Sequence, residues 1–538
     1  MQNNSSSESH HDTQTTRRDV LKSAAAGLGI ISSSESHHDP QTTRRDVLKC
    51  AAAGLGVLAC GCGQVCLAQQ RGGGRGGGMG GGMGGGMGGG MGGGGYAGSG
   101  IFVQVSANNP SLQFNSRRCK SCGNCGNYCL NMTTVFARPV PVGEEACIYC
   151  GQCTQVCSNG ALSEKYHFSQ VRNAVNQSDK IVVASTSPAI RVALGEMFKM
   201  ALGTNVEGKI VQGLRQMGVH SVLDTTFAAD LTVMEEAAEL IKRLTENNAP
   251  LPMFTSCCPA WVRFAKLFYP KLLPNLSTVK SPIMMQGAMI KTYFAKQRGM
   301  DPAKIYHVAL TPCTAKKAEI LLDGMNASGV YHENHAMRDV DVALTCRELG
   351  YLFNAARINL PQLDDAAYDP VMGTGSGAGM IFGITGGVTE AALRTAYGML
   401  NKEPPPQEFF ELKPVRGLSG VRQATVDLKV RKLNIAIVHG IGVSQRLLDA
   451  IQKGETNFDF VEVMACLGGC IGGGGQPFNV TPSDTQLKTA RGNALYDRDA
   501  KTPLRLSYEN PEIKAVYENF LGEPLGKLSH QLLHCRGT

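Results

Sequence analysis

The sequence predicts an α/β protein with a smaller α+β module ahead of its main domain. Three observations carry that prediction. Short β-rich runs (Ile181–Ala184, Ile305–Leu310, Leu433–Val438) alternate with stretches of helical pattern, as a largely parallel sheet requires. The chain has 538 residues, enough for several domains and a sizeable buried core. Its 19 cysteines gather at short spacings instead of scattering through a small chain, so they read as metal or redox sites and not as a disulfide framework. An apolar fraction of 43% excludes a wholly disordered chain. No apolar run reaches the ~18–20 residues that would span a bilayer.

Residues 1–70 read as a duplicated leader. Ser5–Leu28 recurs 27 residues later as Ser32–Leu55, and each copy carries an arginine pair (Arg17/Arg18, Arg44/Arg45), then Asp-Val-Leu-Lys and a weakly apolar stretch. A basic start followed by roughly ten weakly apolar residues describes an export signal, and the T-R-R-x-V-L-K form resembles a twin-arginine signal. Cys66-Leu67-Ala68 is a candidate cleavage site; Val57-Leu58-Ala59-Cys60 reads alternatively as a lipoprotein box that leaves a lipid anchor on Cys60. Residues 71–100 read as a flexible tether, because 19 of the 65 glycines fall within 71–95 and such a segment cannot bury a core.

Residues 101–165 carry the strongest local signal. Cys119-x2-Cys122-x2-Cys125-x3-Cys129 is followed 18 residues later by Cys147-x2-Cys150-x2-Cys153-x3-Cys157. Three thiolates at this spacing wrap three corners of a cubane, and the more distant fourth completes the other cluster. The pattern predicts two [4Fe–4S] clusters in a ferredoxin-like module, one on Cys119, Cys122, Cys125 and Cys157, the other on Cys147, Cys150, Cys153 and Cys129. Gly123, Gly126 and Gly151 leave room for backbone amides near the sulfurs. A zinc reading is weaker, since zinc sites seldom show two complete sets of this form.

Residues 166–480 hold three more cysteine segments: Thr255-Ser-Cys-Cys-Pro-Ala-Trp261, Thr311-Pro-Cys-Thr-Ala-Lys-Lys-Ala-Glu319, and the run from Glu462 to Pro477, which includes Met464, Cys466, Cys470 and Gly472–Gly475. Adjacent cysteines do not readily share one metal corner, so one of Cys257 and Cys258 is free for another task. The glycine run predicts backbone packed tightly against something bulky.

These segments closely resemble the signatures of the [FeFe]-hydrogenases, and the resemblance extends from about Cys119 to the C-terminus. It includes Ser187–Glu196, Phe227–Leu240, Gly375–Arg394 and Val415–Gly420. The family's active site, the H-cluster, joins a [4Fe–4S] cubane to a di-iron unit with CO, cyanide and a bridging dithiolate. The resemblance implies cubane ligands Cys258, Cys313, Cys466 and Cys470, with Cys470 bridging to the di-iron unit. It implies Lys316 at a cyanide, Met464 against the di-iron unit, and Cys257 as the proton-passing thiol. A relay from Cys257 through a water to Glu236, Ser277, Glu239 and Arg243 follows from the same register. From its residues alone, Asp230–Leu244 reads as a helix with Asp230 as N-cap, which places Glu236, Glu239 and Arg243 on one face; that face taken alone also reads as a solvated acidic surface.

Two positions depart from the family. Thr311 stands where methionine is usual, and Ser187 and Ala189 exchange the usual small residues around Pro188. Residues 481–538 resemble the family's small-subunit segment, fused here. The expected activity is reversible H₂ oxidation and proton reduction, with an iron–sulfur assembly scaffold and an H₂ sensor as alternatives. The expected partners are a ferredoxin or c-type cytochrome, hydrogenase maturases and the twin-arginine export machinery, with no nucleic acid. The expected location is periplasmic, with the cytoplasm as the alternative. Gly440-Ile441-Gly442 lacks the third glycine of a dinucleotide fingerprint and reads as a strand–helix turn. Cys346 and Cys535 read as isolated thiols.

Overall fold

The computed structural model describes residues 103, 105–135, 139–246, 248–478 and 485–535. The duplicated leader and the Gly/Met-rich segment lie outside the described residues. Two four-stranded sheets form the frame. In the first, β3 (Ile181–Thr186), β4 (Ser221–Asp224), β6 (Ile305–Thr311) and β7 (Val342–Thr345) run parallel in the order β4-β3-β6-β7. In the second, β5 (Met253–Phe254), β8 (Val421–Asp427), β9 (Lys432–His439) and β10 (Phe460–Met464) take the order β5-β10-β9-β8, parallel except for β8 at the edge. The three runs read as strands are β3, β6 and β9. Both β3 and β10 are buried nearly throughout, as strands covered on both faces must be, and their sequences are correspondingly near-continuous in apolar and small residues.

The helix Thr225–Thr245 begins earlier than its charge pattern suggests. Its N-cap is Asp224, whose side chain accepts from the Thr226 N–H, and not Asp230. Asp230 lies one turn inside and is fully buried, accepting from Ser376, Ser507 and Asn510. The uncharged start Thr225–Ala229 hid the true boundary. The expected face does form: Glu236, Glu239 and Arg243 are all buried, so it is no solvated surface.

The cysteine-rich segment pairs β1 (Leu112–Phe114) antiparallel with β2 (Leu162–Glu164) and carries the short helices Asn124–Met132 and Gln152–Gln155. Each of its two motifs repeats one local geometry. Ser121 and Tyr149 take positive φ and point their N–H groups at Cys119 and Cys147 Sγ, both at 3.4 Å, while Gly123 and Gly151 take positive φ to start the helices. Gly440 also has positive φ and leads into the helix Ile441–Gln452. A Cβ on Gly442 would lie 2.6 Å from the Met132 carbonyl oxygen, so this glycine pair serves a turn and a close helix contact. Among the described residues no helix is long and apolar enough to cross a membrane.

Candidate active site

The carboxyl ends of strands from both sheets converge on one cavity, the place where open α/β sheets bind ligands. Chain leaving β3 brings Ser187 and Pro188, chain leaving β6 brings Pro312 and Cys313, and chain leaving β10 brings Ala465 and Cys466. Cys257 and Cys258 follow β5, with Cys258 seated just before the helix Pro259–Phe268. The cavity holds about 770 Å³ of space, counting its mouth, and is walled almost wholly by apolar atoms. Cys257, Cys258, Cys313, Cys466 and Cys470 all line it, together with Lys316 and Met464. All seven residues that sequence reasoning placed at the metal centre therefore meet in one space.

The thiols are chemically primed for a strongly cationic partner. Burial, then the neighbouring thiols, pushes the Cys313 pKa up to about 12 and those of Cys466 and Cys470 well up. Cys258 is raised by burial but tempered by the Ala465 N–H, 3.5 Å from its sulfur. Four thiolates at once are unfavourable here without a cation, and an iron–sulfur cluster supplies that charge. Among the described residues no three His, Cys, Asp or Glu groups converge closely enough to hold a single ion. Thiols spread around a cavity suit the separate corners of a polynuclear cluster better than one zinc ion.

Lys316 is fixed beside them. Its Nζ donates to the Cys257 carbonyl oxygen at 3.0 Å and pairs with Glu319 at 2.8 Å. Burial alone would press the ammonium toward neutrality, but Glu319 and Cys313 hold its pKa above the ordinary lysine value. Met464 is buried, and a Cβ on Gly469 would lie 2.6 Å from its sulfur, so only glycine there lets the thioether sit where it does. On the far side of Cys257, burial raises Glu236 well above the carboxylate range, with Glu239 and Glu462 adding to it. Glu236 Oε2 is buried and has no hydrogen-bond partner among the described residues. Ser277 Oγ donates to Glu239 Oε2 at 2.8 Å, and Arg243 grips Oε1 at 2.7 Å.

The cluster module docks directly on this site. Cys129 is raised to about 11 and Cys147 to about 12, mainly by burial. Cys129, Cys147, Cys150 and Cys153 line one small cavity, while Cys125 interacts with Cys122 and Cys157 and also with Cys129 and Cys153. Cys150 also feels Cys466 across the interface, and Tyr128 feels both.

Matches to known proteins agree with this geometry. A family model for the iron-only hydrogenase large subunit, C-terminal domain, matches residues 180–474. Another, for the iron hydrogenase small subunit, matches 485–537, and a 4Fe–4S binding domain matches 140–163. Iron hydrogenase 1 of Clostridium pasteurianum is 40% identical over 449 residues, covering 80% of this chain and 76% of its own. The chain belongs to the iron-only, or [FeFe], hydrogenase family. The periplasmic [Fe] hydrogenase large subunit of Nitratidesulfovibrio vulgaris is 40% identical to this hydrogenase over 372 residues, 68% of this chain and 86% of that one. A solved structure of apo [FeFe]-hydrogenase HydA1 from Chlamydomonas reinhardtii, a cysteine variant, superposes with TM-score 0.60 at 37% identity, over 69% of this chain and 98% of that one. Cytosolic iron–sulfur assembly component 3 of Pongo abelii matches this hydrogenase less well, at 29% over 61% of this chain and 70% of its own.

Two features of the hydrogenase were not foreseen. The glycine run Gly472–Gly475, expected to pack against something bulky, puts Gly473 on the cavity wall and also closes tightly on protein. A Cβ on Gly473 would meet the Pro312 carbonyl oxygen at 2.4 Å, and one on Gly474 would meet that of Cys150 at 2.1 Å. The run lets the cluster module approach. The second feature is Glu462, which opens the third cysteine segment yet drew no role. It is buried and accepts from Gly386 N, Thr389 N and Thr389 Oγ1, which ties β10 to the start of the helix Gly387–Asn401. A lone glutamate inside an otherwise apolar strand was the available signal.

Proposed function

We infer that this hydrogenase interconverts H₂ with two protons and two electrons, and that the gathering of Cys258, Cys313, Cys466, Cys470, Lys316 and Met464 around one cavity, with Cys257 toward Glu236, carries the reading. The four cysteines would hold the cubane of an H-cluster, Cys470 bridging to a di-iron unit with CO, cyanide and a dithiolate. When bound, that group supplies the redox chemistry on hydrogen. Lys316, held charged by Glu319, offers donors to an anionic ligand. The apolar walls keep water from competing. Cys257 takes up or delivers the proton, Glu236 carries it in neutral form, and Ser277 hands it on to Glu239 beside Arg243.

The eight cysteines of the doubled motif would hold two [4Fe–4S] clusters, the one on Cys147, Cys150, Cys153 and Cys129 nearer the active site. We assign 101–165 to the ferredoxin-like module, 166–480 to the catalytic domain and 481–538 to the small-subunit-like segment, with 1–70 as leader and 71–100 as tether. A twin-arginine leader suits a protein that must acquire its cofactor from maturases before crossing a membrane. We therefore favour a periplasmic enzyme passing electrons to a cytochrome or ferredoxin. Mass spectrometry of the mature N-terminus tests this: an unprocessed Met1 would favour the cytoplasm.

The activity is tested by H₂ evolution from reduced viologen after co-expression with the maturases. No turnover despite infrared CO and cyanide bands would overturn it. Cys257→Ser should cut turnover at least about 100-fold while the bands persist.

A further inference from the structure

The C-terminal segment sets an imidazole against the relay. Glu239 Oε2 accepts not only from Ser277 but from Thr278, whose N–H lies at 3.1 Å and whose Oγ1 lies at 3.3 Å. That same hydroxyl is 2.8 Å from His534 Nδ1. His534 Nε2 in turn is 3.1 Å from Glu235 Oε2, and Glu235 also accepts from Tyr517 OH at 2.6 Å and Leu525 N at 2.8 Å. His534 is 4% exposed and Glu235 fully buried. The backbone locks the ring in place: Lys280 N donates to Leu533 O at 2.8 Å, and Cys535 N donates to Thr278 O at 2.7 Å.

We propose that His534 is a proton-holding branch of the relay, reached from Glu239 through the Thr278 hydroxyl. This rests on the reading of Glu239 as a relay member. Two hydrogen-bond arrangements fit the same atoms. With His534 neutral, Nε2–H donates to Glu235 and the Thr278 hydroxyl donates to Nδ1. With His534 protonated, Nδ1–H donates to Thr278 Oγ1, and that hydroxyl turns to donate to Glu239. One concerted step converts the first into the second. The O–H bond of a protonated Glu239 breaks as its proton moves to Thr278 Oγ1, and the proton already on Oγ1 forms the new N–H bond at His534. No further reactant is needed, and the step leaves Glu239 a carboxylate beside Arg243, open to the next proton from Ser277.

The surroundings suit a transient cation. Glu235 and Glu239 flank the ring, Arg243 is already engaged by Glu239, and Tyr517 donates to Glu235. His530, in the helix Lys527–Leu533 that His534 caps, is exposed with its ring centroid 4.5 Å away; Lys242 is the remaining cation on the facing helix, and Lys280 on the paired segment is buried against Asp339 at 3.6 Å. Each H₂ involves two protons, while Cys257, Glu236 and Glu239 pass one at a time. A side branch lets a first proton wait while a second crosses.

The test compares Glu239→Gln, Thr278→Val, His534→Phe and His534→Gln in the matured enzyme. The glutamine amide can bond to both Thr278 and Glu235 but cannot take the proton. Turnover should fall at least about tenfold in Thr278→Val, His534→Phe and His534→Gln alike, and the pH profile should lose one ionisation in each. Restoration of rate and profile by His534→Gln would mean a merely structural role and overturn the proposal. In ¹⁵N-histidine-labelled protein, the signal lost in His534→Gln should exchange between neutral and doubly protonated forms over the active pH range; a ring that stays neutral throughout overturns it too. Full turnover in Glu239→Gln would bring down the relay itself, whereas loss there with unchanged Thr278→Val and His534→Phe would bring down only the branch.

Discussion

Around the first cysteine motif the chain is open: Cys122 is exposed, and so are its neighbours Arg117, Arg118 and Lys120. Around the second, Cys147, Cys150 and Cys153 are buried, and the backbone at Cys150 presses on the glycine run of the catalytic loop. Spacing and local geometry are the same in both, down to the positive φ before each second cysteine. The difference comes from what the rest of the chain brings up against them. One thiol set faces outward, where a carrier can approach; the other faces Cys466 and the active site. A repeated motif has thereby been given a direction, and mutations on the two faces should differ accordingly.

Arg347 makes the largest expected difference. It is fully buried, clasps Glu164 of β2 through two contacts of 2.8 and 2.6 Å, and donates to Thr154 and to the Gln476 carbonyl oxygen. One side chain thus ties the module to the catalytic loop. Arg347→Met should cost about 3–5 kcal/mol, because it strands a buried carboxylate. Arg347→Met with Glu164→Leu should recover most of that loss. On the outer face, Arg117→Met should stay within about 0.5 kcal/mol. Denaturant unfolding reads all three, and an equal loss from Arg117→Met would break the comparison. There is also a pH signature. Burial alone would raise Glu164, but Arg347 holds it below its ordinary 4.5, so its contribution is complete above that value and fades as pH falls below it.

The next effect is steric. Gly474→Ala would place a Cβ 2.1 Å from the Cys150 carbonyl oxygen, a contact with backbone that cannot rotate away. It should cost about 1–3 kcal/mol and, more tellingly, alter the spin coupling between the inner cluster and the cubane in electron paramagnetic resonance. An unchanged spectrum and stability would mean that the module does not rest on this loop.

How much of this was legible follows the range of the interactions. The doubled motif is local, so its ligands could be read from spacing, and β3, β6 and β9 from their apolar runs. Two-residue β5 was invisible as a strand, being too short for any alternation to show. The cavity residues come from segments some 200 positions apart and emerged only through family resemblance, since no spacing rule links Cys258 to Cys466. Thr278 and His534 were missed because a threonine and a tail histidine gain meaning only when the fold sets them beside Glu239. The glycine run was legible as a close approach, but that Gly474 meets the Cys150 backbone while Gly473 lines the cavity emerges only from tertiary structure, because composition reports room and not the neighbour.

The smallest expected effect lies at the seam, at His167, where the chain leaves the module. Burial, then Lys317 and Lys165, lowers its pKa to about 4, so the folded protein keeps it neutral. The unfolded chain takes up its proton near the ordinary 6.5. A depressed folded value means that stability is complete above pH 6.5 and drains away as pH falls toward 4. The ring is only partly buried, so solvent screening holds the total to about 1 kcal/mol. His167→Gln should flatten the stability curve across that window and leave it unchanged above it. If the curve keeps its full slope, the acid sensitivity belongs to groups deeper in the catalytic domain, and the seam is no weaker than the core it joins.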